Sequence, residues 1–301
     1  MPSLLASHQH LLGFVVLAGR MCVWLVLLTA VFAPLERFFS IRPAKLFHKG
    51  WATNLGWYFV NGLTPVFLLG PPSALIAAAV HAGLPASITS AGAALPLWAR
   101  MIAAMVVGEI GFYWGHRWSH QIPLLWRFHA VHHSAERIDW LVNTRAHPID
   151  MIFTRLCGLV PLYVLGLAAP TTGEASVVPV AVLLVGIVWG FFIHANLRWR
   201  FGPLEWLVAT PGFHHWHHTN DSKDVVDKNY AAMLPVMDWL FGSLHLPATG
   251  LPVRYGTDHP MPAGFVDQLL EPFMPENMPP QAPPRTPLPR AGEVAERNDR
   301  G

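Results

Sequence analysis

Histidine is the residue in this chain whose placement could do chemistry. Of 17 histidines, 11 fall between His116 and His218. His116 and His120 are spaced H-x-x-x-H, and residues four apart share a helical face about 6 Å apart along its axis. Both imidazoles can therefore face one point. His129, His132 and His133 are spaced H-x-x-H-H, and offsets of three and four again share a face. That spacing returns at His214, His217 and His218, with His215 between them, and His194 stands alone at the end of an apolar run.

Imidazole is a metal ligand, and convergent imidazoles are what a metal site requires. One zinc takes four protein ligands in a structural site and three in a catalytic one. Eight or nine convergent histidines (His116, His120, His129, His132, His133, His194, His214, His217 and His218) thus imply two metals. Imidazole suits Fe, Zn, Cu and Ni alike, so spacing does not name the element. The absence of H-E-x-x-H speaks against a helix-borne zinc protease. A lone H-x-x-x-H is most often an interface pair; two H-x-x-H-H repeats beside it are what set this chain apart. For His147 and His215 a structural or supporting role weighs at least as much as ligation. His8, His10, His48, His81, His245 and His259 read as ordinary histidines.

The elements that must carry these boxes are membrane helices. The chain is 52% hydrophobic and 13% charged, with a mean hydropathy of +0.35. No Asp, Glu, Lys or Arg occurs between Lys49 and Arg100, and only Glu174 between Arg155 and Arg198. A spanning helix needs about 20 apolar residues, and these stretches supply several. Five passages are expected: Leu11–Pro34; a second from Trp51, broken at Gly70-Pro71-Pro72; Leu97–Tyr113, whose helix continues through the first box until Pro123 ends it; Ile149–Ala169; and Val177–Ile193. A re-entrant hairpin over Ser73–His81 is a variant of this count. Arg37, Arg42, Lys45 and Lys49, then Arg117, Arg127, Arg137 and Arg145, then Arg198 and Arg200 fall in alternate connections, which marks that side as cytoplasmic. The connections Ala82–Pro96 and Pro170–Ser176 carry no Lys or Arg and fall on the other side. Every histidine box shares the cytoplasmic side. The fold expected is all-α: an integral membrane helical bundle under a cytoplasmic His-rich helical cap.

Other features exclude alternatives. Net charge is +2 with no basic block, so nucleic acid is not an expected partner. Cys22 and Cys157 both lie in apolar runs and offer no disulfide framework. The N-terminus lacks the small-residue cleavage pattern of a secretory signal. Pro275–Gly301 is rich in Pro and charge and reads as a disordered tail.

The order of boxes, H-x-x-x-H, H-x-x-H-H, lone His, H-x-x-H-H, resembles the fatty acid hydroxylase superfamily, which includes sterol desaturases, methyl sterol oxidases and alkylglycerol monooxygenase. The flanking text carries the resemblance too: Tyr113-Trp-Gly-His-Arg117, Leu125-Trp-Arg-Phe-His129, His132-His-Ser134, Arg145-Ala-His-Pro148, His194-Ala-Asn196, and Asn229-Tyr-Ala-Ala-Met-Leu-Pro-Val-Met-Asp238 before Leu240-Phe-Gly242. It covers roughly Leu97 to Pro247. The chain departs from the pattern at Glu109, where the family usually has Asp, and at Arg198, where a second histidine would follow His194; a water or Asn196 could then complete one metal.

The resemblance implies a non-haem diiron centre, O2 as co-substrate, and hydroxylation of a lipid (fatty acyl, sterol-like or isoprenoid), with desaturation on the same site as the alternative. Neutral imidazoles compensate little of the charge on two divalent ions, so acids should support the ligands from behind. Candidates for this support are Glu109, Asp150 and Asp238, with Glu136, Asp139, Asp224 and Asp227, and beside them His147, Asn196 and His215. No G-x-G-x-x-G loop opening a helix is present, so electrons come from a separate ferredoxin-like or cytochrome partner. The expected organisation is an N-terminal transmembrane region (1–96), a histidine-box catalytic domain (97–250), a C-terminal cap segment (251–274) and the tail (275–301). Rivals from other classes are a metal transporter, which needs polar groups deep in the spans, and a bis-histidine haem electron carrier, which needs facing histidines within them.

Overall fold

The computed structural model describes residues 2–43, 45–168, 177–248 and 250–274. The expected tail and the Pro170–Ser176 connection lie outside them. The described residues are helical, with no strand and one isolated bridge, between Thr219 and Tyr255.

Helix α1 (Pro2–Phe39) runs through Pro34, where the sequence suggested an end. Helix α2 (Trp51–Leu68) gives way at the expected break to α3 (Gly70–Gly83), whose first turn takes the prolines. There the missing N–H costs nothing, since that donor would be unpaired anyway. The Ala82–Pro96 connection is not a plain loop. Alanines favour helix, and between Pro85 and Pro96 the chain forms α4 (Ala86–Ala93), bent 114° from the helix that follows.

Helix α5 (Leu97–Gln121) carries the first box, and α6 (Pro123–His133) carries the second. Ile122, extended because a proline follows it, separates them, so Pro123 ends α5 as expected and also opens α6. A 3-10 turn at Trp140–Thr144 leads into α7 (Pro148–Val164). Helix α8 (Val177–His194) ends on the lone histidine. The rest is short: a 3-10 turn at Gly202–Trp206, α9 (Pro211–His217) with the third box, α10 (Val236–Leu240), α11 (Phe265–Leu270) and a final turn, Glu271–Phe273.

Two devices set the site's geometry. Helices α5 and α7 meet backbone to backbone: a Cβ added to Gly111 would stand 2.1 Å from the carbonyl oxygen of Cys157, and one on Gly115 would stand 2.7 Å from the Cys157 Cβ. Small residues permit such approach where no hydrophobic effect drives helices together. The C-terminal segment folds back on α2, where Trp57 Nε1 donates to Gln268 Oε1 at 3.0 Å and Thr53 donates to Ala263 O at 2.6 Å.

Among the described residues, Leu12–Phe39 is the one helix both long and apolar enough to cross a bilayer; the bent pair α4 and α5 adds a second if taken as a single span. Val180–His194 is apolar but shorter. Helix α1 exposes Phe14, Val23, Trp24, Val26 and Leu27, and α8 exposes Val180, Leu184 and Val188. Apolar surface this extended needs an apolar surrounding.

Candidate metal centre

The nine histidines meet in two groups. His116, His120, His129, His133 and His217 form one, and His132, His194, His214 and His218 form the other. Within each group one nitrogen per ring lies within 4.8 Å of all the others, and all nine residues are buried. The first box sends both rings to one point, as its spacing suggests. The H-x-x-H-H boxes do not: His129 and His133 serve the first group and His132 the second, while His214 and His218 serve the second and His217 the first. Helical geometry explains the split. A four-residue step advances about 40° round the helix and a three-residue step falls back about 60°, so adjacent rings diverge by about 100° onto different centres.

Whether these residues fit metal ions can be judged from their hydrogen bonds. His132 Nδ1 donates to Arg145 O at 3.0 Å, and His194 Nδ1 donates to Gly190 O at 2.7 Å. A carbonyl only accepts, so in the neutral rings both Nε2 atoms are bare. Yet those Nε2 atoms stand 3.2 Å apart. The Nδ1 atoms of His120 and His129 face Asp227 and Asp150, at 3.1 and 3.0 Å, while their Nε2 atoms lie 3.1 Å from each other. Lone pairs crowded this way call for a shared cation. Burial also keeps the rings neutral: His132 is pushed down to about 3, and burial drives His133, His214, His217 and His218 well below the ordinary imidazole range. Neutral buried imidazoles with outward Nδ1–H bonds suit divalent cations.

The supporting residues sort clearly. Asp150 accepts from His129 through one oxygen and from Ser119, at 3.1 Å, through the other. Asp238 accepts from the backbone amides of Tyr230 and Ala231 at 2.7 and 2.9 Å, and Tyr230 O in turn accepts from His116 at 2.7 Å. Glu109 clamps the same stretch of chain through the amides of Met233 and Leu234. His217 Nδ1 donates to Lys228 O.

Three candidates stand back from the rings. Asn196 is taken up by the backbone of Ile41 and Arg42. His147 caps α7 through Ile149 N. His215, at Tyr255 and Ala195 O, turns away from both groups. Asp139 pairs instead with His48, at 2.6 Å. Sequence reasoning overlooked that contact, since an isolated histidine and a distant acid give no signal. It also overlooked the task of Arg145, which ties Ser134, Val131 O and Asn54 together below α6.

A cavity of about 500 Å³ adjoins the rings. Its apolar walls come from α1, α2, α5, α7 and α8, through residues such as Met21, Leu28, Phe112, Leu162, Ile187 and Phe191. At one end lie His116, His129, His132, His194 and His214, members of both groups.

Comparison with known proteins agrees with this architecture. The fatty acid hydroxylase family model matches residues 101–243. The chain is 35% identical over 182 residues to the ornithine lipid hydroxylase OlsE of Rhizobium tropici, a match covering 59% of this chain and 51% of that protein. It is 32% identical over 168 residues to the alkylglycerol monooxygenase of Danio rerio (54% of this chain, 34% of the relative) and 31% identical over 158 residues to the human one (51% and 32%). The chain thus spans about half the length of the first of these relatives and about a third of the other two. No solved structure matches it. Every histidine box lies inside the matched stretch, so residues 101–243 are what this chain shares with the fatty acid hydroxylase family.

Proposed function

We propose that this protein is a membrane-bound non-haem diiron oxygenase that hydroxylates a lipid, using O2 and two electrons from a separate ferredoxin-like or cytochrome donor. The observation that carries the reading is the meeting of nine buried imidazoles, in groups of five and four, with one end of an apolar cavity of lipid-chain size. The relatives' names favour hydroxylation over desaturation, one being a lipid hydroxylase and the others monooxygenases.

His116, His120, His129, His133 and His217 would hold one iron, and His132, His194, His214 and His218 the other. Bound there, the irons supply the activation of O2. The chain supplies the rest. Outward bonds from Nδ1 to Tyr230 O, Arg145 O, Gly190 O, Lys228 O, Asp150 and Asp227 hold six of the nine rings with Nε2 inward. Asp150 offsets cationic charge that neutral rings leave uncompensated. Phe112, Leu162 and Phe191 exclude water from the acyl path and present one C–H bond to the rings.

Five crossings with the boxes on the cytoplasmic side fit the placement of Lys and Arg. Cysteines at Lys223 and Ser87, both exposed, should label from opposite faces of sealed vesicles. The decisive experiment is lipid mass spectrometry of cells with and without the gene, together with metal analysis of the purified protein. A lipid gaining one oxygen atom supports hydroxylation, and one losing two hydrogens supports the desaturase reading. A protein that carries no iron and turns over without oxygen refutes both.

A further inference from the structure

One charged side chain on the wall of the apolar cavity lacks a partner. Arg155 lies on the stripe of α7 that lines this space, with Asp150, Met151, Thr154 and Gly158. It stands five residues beyond Asp150, about 7.5 Å along the helix axis, toward the apolar part of the cavity. It is half-buried. Among the described residues its guanidinium makes no hydrogen bond and no ion pair.

Arg100, also half-buried, has a buried Nε without a partner, but it does not line the cavity; three other arginines are engaged. Arg117 donates to Tyr113 Oη and Phe241 O, Arg145 to Ser134 and Asn54, and Arg200 to Glu205. The two acids that line the cavity are already engaged, Glu109 by backbone amides of Met233 and Leu234 and Asp150 by His129 and Ser119. Neither accepts from Arg155. A guanidinium offers five donors in a planar fork that matches carboxylate and phosphate, and it cannot shed its charge. Held in apolar surroundings, it needs an anion.

We propose that Arg155 receives the oxyanion, phosphate or carboxylate, of the amphiphile that occupies this cavity. The substrate class narrows accordingly from any lipid to an acidic one. The assignment rests on reading the cavity as the lipid site of the oxygenase.

The test is direct binding to the full-length protein as purified from iron-replete cells in a neutral maltoside detergent, measured by native mass spectrometry. The probes are oleate, 1-oleoyl-lysophosphatidate and uncharged 1-oleoylglycerol. At least one acid should bind about ten-fold more tightly than the neutral lipid. Arg155→Met should erase that preference and Arg155→Lys should keep part of it. Affinity for 1-oleoylglycerol should stay the same in all three proteins, which also shows the cavity intact. Whichever acid depends on Arg155 identifies the group as carboxylate or phosphate. Equal binding of all three lipids to the wild type overturns the assignment, as does a preference that survives in Arg155→Met. If Arg155→Met no longer binds even the neutral lipid, Arg155→Lys decides: a preference weakened several-fold supports the role and an unchanged one refutes it. Iron measured in the same samples separates this from the oxygenase reading. An acid preference without iron would sink the oxygenase and leave Arg155 its role, whereas iron without a preference does the reverse.

Discussion

His129 donates from Nδ1 to Asp150 at 3.0 Å, and the bond joins α6, which carries the second histidine box, to α7, which lines the cavity. A carboxylate behind an imidazole fixes its tautomer and makes its other nitrogen a better donor, and losing one typically costs about 10–100-fold in metal affinity. Asp150→Ala should lower iron affinity by that order, read by metal analysis after dialysis against a weak chelator. Asp150→Asn should cost less, because its oxygen can still face His129 while its amide faces Ser119.

Single histidine substitutions should separate the two centres. Wild-type protein should carry two irons per chain. His133→Ala should weaken the five-histidine centre and His218→Ala the four-histidine one, each leaving about one iron behind and abolishing turnover. His215→Ala is the contrast. It removes a ring bonded to Tyr255 and Ala195 O, so it should cost about 1–3 kcal/mol of stability while leaving the iron count unchanged. Equal iron loss in all three variants would contradict the grouping.

The contact between α5 and α7 predicts a steric effect. A methyl group on Gly111 cannot coexist with the Cys157 carbonyl where it stands, and overpacking of this kind costs about 1–3 kcal/mol. Gly111→Ala should lower the thermal midpoint and, by separating Asp150 from His129, reduce iron retention. Gly13→Ala, where nothing lies within 4 Å, should do neither.

The pair His48–Asp139 predicts a pH dependence. The hydrogen bond from Asp139 raises His48 above the ordinary imidazole range, against burial. A raised basic group stabilises the fold fully below its unfolded pKa, about 6.5, and loses that contribution as pH rises through its higher folded value. His48→Gln should therefore melt below wild type at pH 6, with a deficit on the order of 1 kcal/mol, and the two should converge by pH 9. A constant deficit at both pH values would show the contact to be packing alone.

What could be read from the sequence follows the range of each interaction. Helix periodicity is local, so the boxes, their helices and the break before Pro71 were legible, as was the convergence of His116 with His120. The splitting of His132 from His133 lies in the same local geometry, and only the assumption of one focus per box concealed it. The acceptors behind the rings were not legible. Tyr230 O, Arg145 O and Lys228 O are backbone atoms, and any residue type supplies one. Asp150 could be named as a candidate but not ranked, because its contact with His129 depends on how closely α5 and α7 approach at Gly111 and Gly115. The helix α4 was hidden by its polarity, which resembles that of a loop.

The interleaving of the boxes also governs when metal can enter. During synthesis His116, His120, His129 and His133 leave the ribosome early, but their fifth companion, His217, follows 84 residues after His133. The other centre has only His132 at that stage and must wait for His194, His214 and His218. Neither pocket is complete in a nascent chain until the last box has emerged, and both then close almost together. A metal that needs either full set of rings must therefore arrive after the third box has been made.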